Sequence, residues 1–145
     1  MMTGRTFHLE IVTPKKVLYA SEVQSFRVPG YVGSFQILYN HTPLLSLITV
    51  GELKIVDADG NDIRFATSGG FVDVKDNTVM LLAETAERAD EIDVPRAQVA
   101  YDKSKRRLVE KRFETDVERT RLALERARNR LKVASRAGKV PTGSS

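Results

Sequence analysis

The chain has 145 residues, a net charge of +4 and no cysteine, which excludes disulfides, thiolate catalysis and cysteine-ligated zinc or iron–sulfur centres. Its length suits one compact domain with a substantial extension, or two small domains. No window approaches the roughly 20 apolar residues that span a bilayer, and Met1 to Ile11 holds no apolar stretch of signal-peptide length, so membrane association is expected only through a partner.

From the N-terminus, apolar and β-branched residues recur with a period near two, punctuated by glycine and Asp/Asn turns, which predicts strands. Phe7, Leu9 and Ile11 open the series and Pro14 closes that run. Val17 to Tyr19, Val23 to Val28, Ser34 to Leu38, Leu44 to Ile48, Leu53 to Val56, Ile63 to Thr67, Phe71 to Val74 and Val79 to Leu82 follow. About nine strands at this spacing favour a sandwich or flattened barrel. Asp59-Gly60 is a hairpin signal, since both residues tolerate the positive φ of a tight turn, and Asp76-Asn77 serves the next hairpin. Gly69 and Gly70 read as a bulge or a close approach between strands.

After Leu82 glycine disappears until Gly138, and Ala, Arg, Glu and Lys dominate, which is helical composition. Asp93 is placed to cap a helix, with Pro95 tolerated in its first turn. Val109, Phe113, Val117, Thr120, Leu124, Ala127, Leu131 and Ala134 recur at steps of three and four, an apolar stripe that needs a surface to pack on. No Gly or Pro interrupts Arg96 to Arg136, so one long helix or a hairpin of two fits the pattern. The best break is Phe113 to Asp116, where Thr115 and Glu118 resemble a capping box. Gly138 ends the helix, and 139–145 are expected to be disordered.

Charge follows the same division. Residues 1–83 carry seven Lys/Arg against eight Asp/Glu, and residues 84–145 sixteen against eleven. From Arg119 onward eight basic residues accompany a single acid, Glu125, which calls for an acidic partner or ligand. The two histidines, His8 and His41, lie on different predicted elements, so a histidine-based metal or acid–base site is not expected.

Four segments in register carry a family resemblance: GSFQILYNHTPLLSLITVGELKI from Gly33, SGGFVDV at Ser68 to Val74, LAETAERADEIDVPRA at Leu82 to Ala97, and LALERARNRL at Leu122 to Leu131. They resemble the epsilon subunits of F-type ATP synthases over nearly the whole chain. The resemblance implies a β-sandwich of about ten strands over 1–85, a mobile helical hairpin over 86–138 and a tail over 139–145. It implies a non-catalytic rotor subunit on the cytoplasmic face of the bacterial inner membrane, bound to the gamma subunit and the c-subunit ring. The C-terminal helices would reach the alpha/beta head and inhibit ATP hydrolysis. No cofactor is required.

Two sites follow from the resemblance. Ile92-Asp93-Val94-Pro95-Arg96-Ala97 matches the I/L-D-x-x-R-A motif with which some epsilon subunits bind ATP as a regulatory ligand; Glu87, Arg126 and Arg130 match its completing positions, and Lys103 stands where an arginine is usual. Lysine keeps the charge but loses the planar fork, and with no P-loop pattern the site would sense ATP rather than hydrolyse it. The alternative is that Asp93 caps a helix and pairs with Arg96 while Arg126 and Arg130 are solvated. Tyr39, Asn40, His41 and Thr42 fall in the loop the family places at the c ring; a locally bonded turn is the alternative for His41. Two further classes compete: a nucleic-acid-binding module built on the arginine-rich helix, short of aromatic residues for stacking, and a sandwich hydrolase, for which no nucleophile motif exists.

Overall fold

A computed structural model of the chain describes residues 5–110 and 117–137. It divides into two units, 1–88 and 89–145. The first is a nine-stranded sheet in the order β4-β7-β8-β1-β2-β5-β6-β9, with β3 paired to β2. The strands are β1 (Phe7–Val12), β2 (Val17–Pro29), β3 (Ser34–Leu38), β4 (Leu44–Ile48), β5 (Gly51–Asp57), β6 (Asp62–Thr67), β7 (Gly70–Lys75), β8 (Thr78–Ala83) and β9 (Ala86–Arg88). All pairings are antiparallel except β1 with β8. This is the expected sandwich-like build, with nine strands among the described residues.

Strand β2 belongs to both halves. Val17 to Val23 pairs with β1, and from Val23 onward the strand pairs with β5 and from Ser25 with β3. The two strands expected within 17–28 are this one strand, which a shift of register between Val23 and Ser25 divides. One extra residue reverses the in/out alternation: Val23 points inward before it, Phe26 and Val28 after it. The core is Phe7, Leu9, Ile11, Val23, Phe26, Val28, Ile37, Ile48, Leu53, Ile55, Phe65, Val72, Val74, Val79, Leu81 and Ala83. Each fully buried large side chain there stabilises the fold by about 1.5–3 kcal/mol.

Asp76 and Asn77 both take positive φ, 51° and 56°, as the tight β7–β8 turn requires. At the β5–β6 hairpin only Gly60 does, at 86°. There the Asp57 carboxylate accepts from the amides of Asp59 and Asn61 at 2.9 and 2.8 Å, so the turn is built by Asp57 as much as by the Asp-Gly pair. The sheet runs on through β9 to Arg88, three residues past the change of structure expected at 85/86, because β9 pairs with β6.

The second unit holds a 3₁₀ turn at Ala89–Glu91 and helices α1 (Val94–Glu110) and α2 (Val117–Arg136), which pack on each other as a hairpin. On α1 Val94, Ala97 and Ser104 are buried, with Tyr101 and Leu108 half-buried in line with them; on α2 the inward positions include Val117, Thr120, Leu124, Ala127, Leu131 and Ala134. Steps of three and four keep each set on one face. Val109, expected in the stripe, is 78% exposed, because the α1 face runs through Leu108 instead. The buried set is rich in small residues, Ala97, Ser104, Thr120, Ala127 and Ala134, so the helices approach closely but remove less apolar surface per turn than the sandwich strands do. The expected break at Phe113 to Asp116, with Thr115 of its capping box, and the expected end at Gly138 and tail over 139–145 lie outside the described residues.

Candidate functional site

The motif residues divide between the two units. Glu87 sits half-buried on β9, opposite Ala66 of β6. Asp93 lies just before α1, and its Oδ1 accepts the Arg96 backbone N–H at 3.1 Å while its carbonyl accepts the Ala97 N–H at 3.0 Å. That is an N-cap, which satisfies one amide of the first turn that no helical carbonyl can reach. Ala97 is fully buried in the hairpin seam, so its side chain packs and is not presented to a ligand.

Arg96, Lys103 and Arg126 are exposed and Arg130 is half-buried. Arg96 and Lys103 are two turns apart on one side of α1, and Arg126 and Arg130 one turn apart on α2. Each pair directly precedes a seam position of its own helix, Ala97 and Ser104 on α1, Ala127 and Leu131 on α2. In an antiparallel pair this puts all four on the same flank of the hairpin. The structure therefore supplies a basic flank, and it uses the Asp93 carboxylate as a cap.

In the Tyr39 to Thr42 loop, Asn40 takes φ 58°. Its amide donates to Asn77 Oδ1 at 2.7 Å, and Asn77 Nδ2 donates to the Thr6 carbonyl at 3.0 Å, which ties the loop to the β7–β8 turn. His41 Nδ1 lies 2.7 Å from the Thr42 carbonyl and its amide donates to the Leu38 carbonyl at 3.2 Å. The imidazole is thus held locally, while Tyr39 and Thr42 remain exposed.

Sequence reading missed an apolar stripe on the outer face of the sandwich. Leu47 of β4 faces Phe71 of β7, Phe71 faces Leu82 of β8, Leu82 faces Val12 of β1, and Val12 faces Val17 of β2. Directly opposite residues share a face of the sheet, so this is one continuous row across five strands. Leu47 is 62% exposed, Val17 55%, Phe71 39% and Leu82 37%, and Leu45 and Met80 flank it, also exposed. The signal for it lies in LLSLI and TVMLLA, where apolar residues run consecutively instead of alternating, the pattern of strands meant to be covered on both faces.

Beside the stripe His8 stands between two carboxylates, Nε2 3.1 Å from Glu10 and Nδ1 3.1 Å from Glu22. The Glu10 hydrogen bond, aided by Glu22 and opposed by partial desolvation, raises the imidazole above its ordinary 6.5. Because the folded value is the higher one, the contribution to stability is fully present below 6.5 and is lost as pH rises through the raised folded value. An NMR titration is expected to place the His8 midpoint above 6.5, and Glu10→Gln to move it down; a Glu10→Gln midpoint equal to the wild type would contradict the assignment. Among the described residues no group of three or more His, Cys, Asp or Glu is arranged to hold a metal, and no helix is long and apolar enough to cross a membrane.

A mostly antiparallel sandwich with an exposed apolar stripe, followed by a basic helical hairpin, defines a two-part β-then-α protein. The family model for the β-sandwich domain of the ATP synthase delta/epsilon chain matches residues 6–89, and that for its long alpha-helix domain residues 90–135. The chain belongs to the ATP synthase delta/epsilon chain family. Among its relatives, the ATP synthase epsilon chain of Desulforamulus reducens is 44% identical over 90% of this chain and 98% of that one. That of Nitratidesulfovibrio vulgaris is 41% identical over 92% and 98%. A chain of the Euglena gracilis mitochondrial ATP synthase shares the fold, with a TM-score of 0.78 and 18% identity over 92% of this chain and 81% of that one.

Proposed function

We propose that this protein is a non-catalytic central-stalk subunit of a rotary ATP synthase, anchored to the gamma subunit through the apolar stripe on its sandwich. The stripe is the observation that carries the reading: a row of exposed leucine, phenylalanine and valine side chains across five strands favours removal from water against a partner. The loop from Tyr39 to Thr42 lies against the c-subunit ring and helps pass rotation to ATP synthesis. The hairpin inhibits ATP hydrolysis by reaching the acidic surfaces of the alpha/beta head, and its small-residue seam, with little apolar area to lose, favours such a change of partner. The protein works on the cytoplasmic face of the bacterial inner membrane, held there by the complex. Purified chain is expected to co-elute with gamma, to show no ATP turnover alone, and to change the ATPase rate of an assembled motor. Turnover by the chain itself, or failure to bind gamma, would refute this.

The basic flank supports a regulatory role for ATP as well, since a polyphosphate needs several cations on one side. Arg126 and Arg130, with Arg96 and Lys103, are its phosphate partners, and Asp93 keeps the start of α1 in place. Calorimetric titration with ATP is expected to give saturable heats that weaken at least about tenfold in Arg126→Ala, the worth of one charge-assisted contact. Identical heats from both proteins would retire the ATP reading and leave Asp93 its role as a helix cap.

A further inference from the structure

A different outer face of the sandwich carries a row of cations that neither reading above employs. Gln36 of β3, Arg27 of β2 and Lys54 of β5 are register partners in line, and Lys54 is in turn opposite Arg64 of β6. Cations directly opposite one another on antiparallel strands repel. Arg64 is compensated by Glu52 at 2.9 Å and by Asp62 at 3.9 Å. The side chains of Arg27 and Lys54 make no ion pair or hydrogen bond among the described residues. The register shift in β2 that sends Phe26 and Val28 into the core is what turns Ser25 and Arg27 to this side.

These groups surround a cavity of about 300 Å³, lined by Ser25, Arg27, Ser34, Phe35, Gln36, Lys54 and Val56. Ser25 is only 9% exposed, and its hydroxyl has no hydrogen-bond partner among the described residues. An uncompensated pair of adjacent cations is costly, and an oxyanion in the cavity relieves it. Arg27 offers a planar fork and Lys54 a point charge, while Ser25, Ser34 and Gln36 add neutral donors. A carboxylate is planar and is satisfied by one guanidinium, whereas donors from three strands around a concavity suit the tetrahedral oxygens of phosphate. The volume takes phosphate, pyrophosphate or a phospholipid head, with Val56, the register partner of Ser25, as its apolar edge.

We infer that the cavity between Arg27 and Lys54 is a phosphoryl-binding site on the sandwich, distinct from the basic flank of the hairpin. The test is a titration of the ¹⁵N-labelled full chain with inorganic phosphate and with pyrophosphate at constant ionic strength, with chloride as the control anion. In parallel, phosphatidylglycerol and phosphatidylcholine vesicles are offered to the same proteins. Saturable shifts are expected at Ser25, Arg27, Gln36 and Lys54, weakened at least about tenfold in Arg27→Gln and in Lys54→Gln but not in Lys15→Gln, which removes a charge from another turn. The melting temperature of Arg27→Gln should not fall, because the substitution relieves repulsion; a structural role would lower it and leave binding alone. If only phosphatidylglycerol vesicles bind, and Arg27→Gln abolishes that binding, the site stands and the phosphoryl group is a lipid's. The proposal fails if no probe binds, or if both variants bind as the wild type does.

Discussion

Alanine at position 70 is expected to destabilise the sandwich by about 3–5 kcal/mol, the sum of backbone strain and a forced contact. Gly70 opens β7 with φ 150°, a value L-residues rarely adopt, and a Cβ built there would fall on the Leu82 carbonyl oxygen and lie 2.9 Å from Ala83 Cα. Both neighbours are backbone of β8, paired with β7 through Gly70 and Ala83 themselves, so relief requires the two strands to part. On the other side Gly70 pairs with Ile48 of β4, and any shift of β7 disturbs that ladder too. Against a total of about 5–15 kcal/mol for a domain, the loss should lower the melting temperature by roughly 15 °C or more. Gly33→Ala is the control: it has φ 149° with nothing within 4 Å, so it carries the strain without the contact and should cost about 1–3 kcal/mol. Equal melting temperatures for the two variants would show that the close approach at Gly70 costs nothing.

Where periodicity and packing agreed, the sequence was enough. Strands such as Phe7–Val12 and Gly51–Asp57 place their alternate apolar residues inward, with Leu53 and Ile55 buried on either side of Lys54 in the second, and the α2 stripe from Val117 to Ala134 lies inward at each expected position. Where a tertiary event broke the period, it was not. The register shift in β2 makes one strand read as two. Ala86–Arg88 has no alternation of its own and is a strand only because β6 offers it an edge. The seam of α1 includes Ser104, which no hydrophobicity count selects. Site residues fared the same way. Asp93 was legible as a cap because capping is local, whereas Arg27 and Lys54 are far apart in the chain and look like solvated strand charges until the register sets them side by side.

Replacing Leu47 and Phe71 together by aspartate should weaken binding to gamma at least about 100-fold, since truncating a buried aromatic anchor alone is worth 2 kcal/mol or more and an unpaired charge in a dry interface adds to that. The two side chains face each other across β4 and β7 and form the most exposed end of the stripe together with Leu45, at 62%, 39% and 69%. Asp73, Glu10 and His8 lie on the same face beside the apolar row, which gives the patch the apolar centre and polar rim of an interface. Because the substituted side chains already meet water in the free protein, folding should suffer little, within about 1–2 kcal/mol by urea unfolding. Val109→Asp, on a hairpin residue that is 78% exposed, controls for added negative charge and should bind gamma within threefold of the wild type. A double variant that still binds gamma as the wild type does would release the stripe from the role assigned to it. A folded double variant that no longer binds would mean that the row of side chains which most wants shelter from water is also the row that grips the shaft.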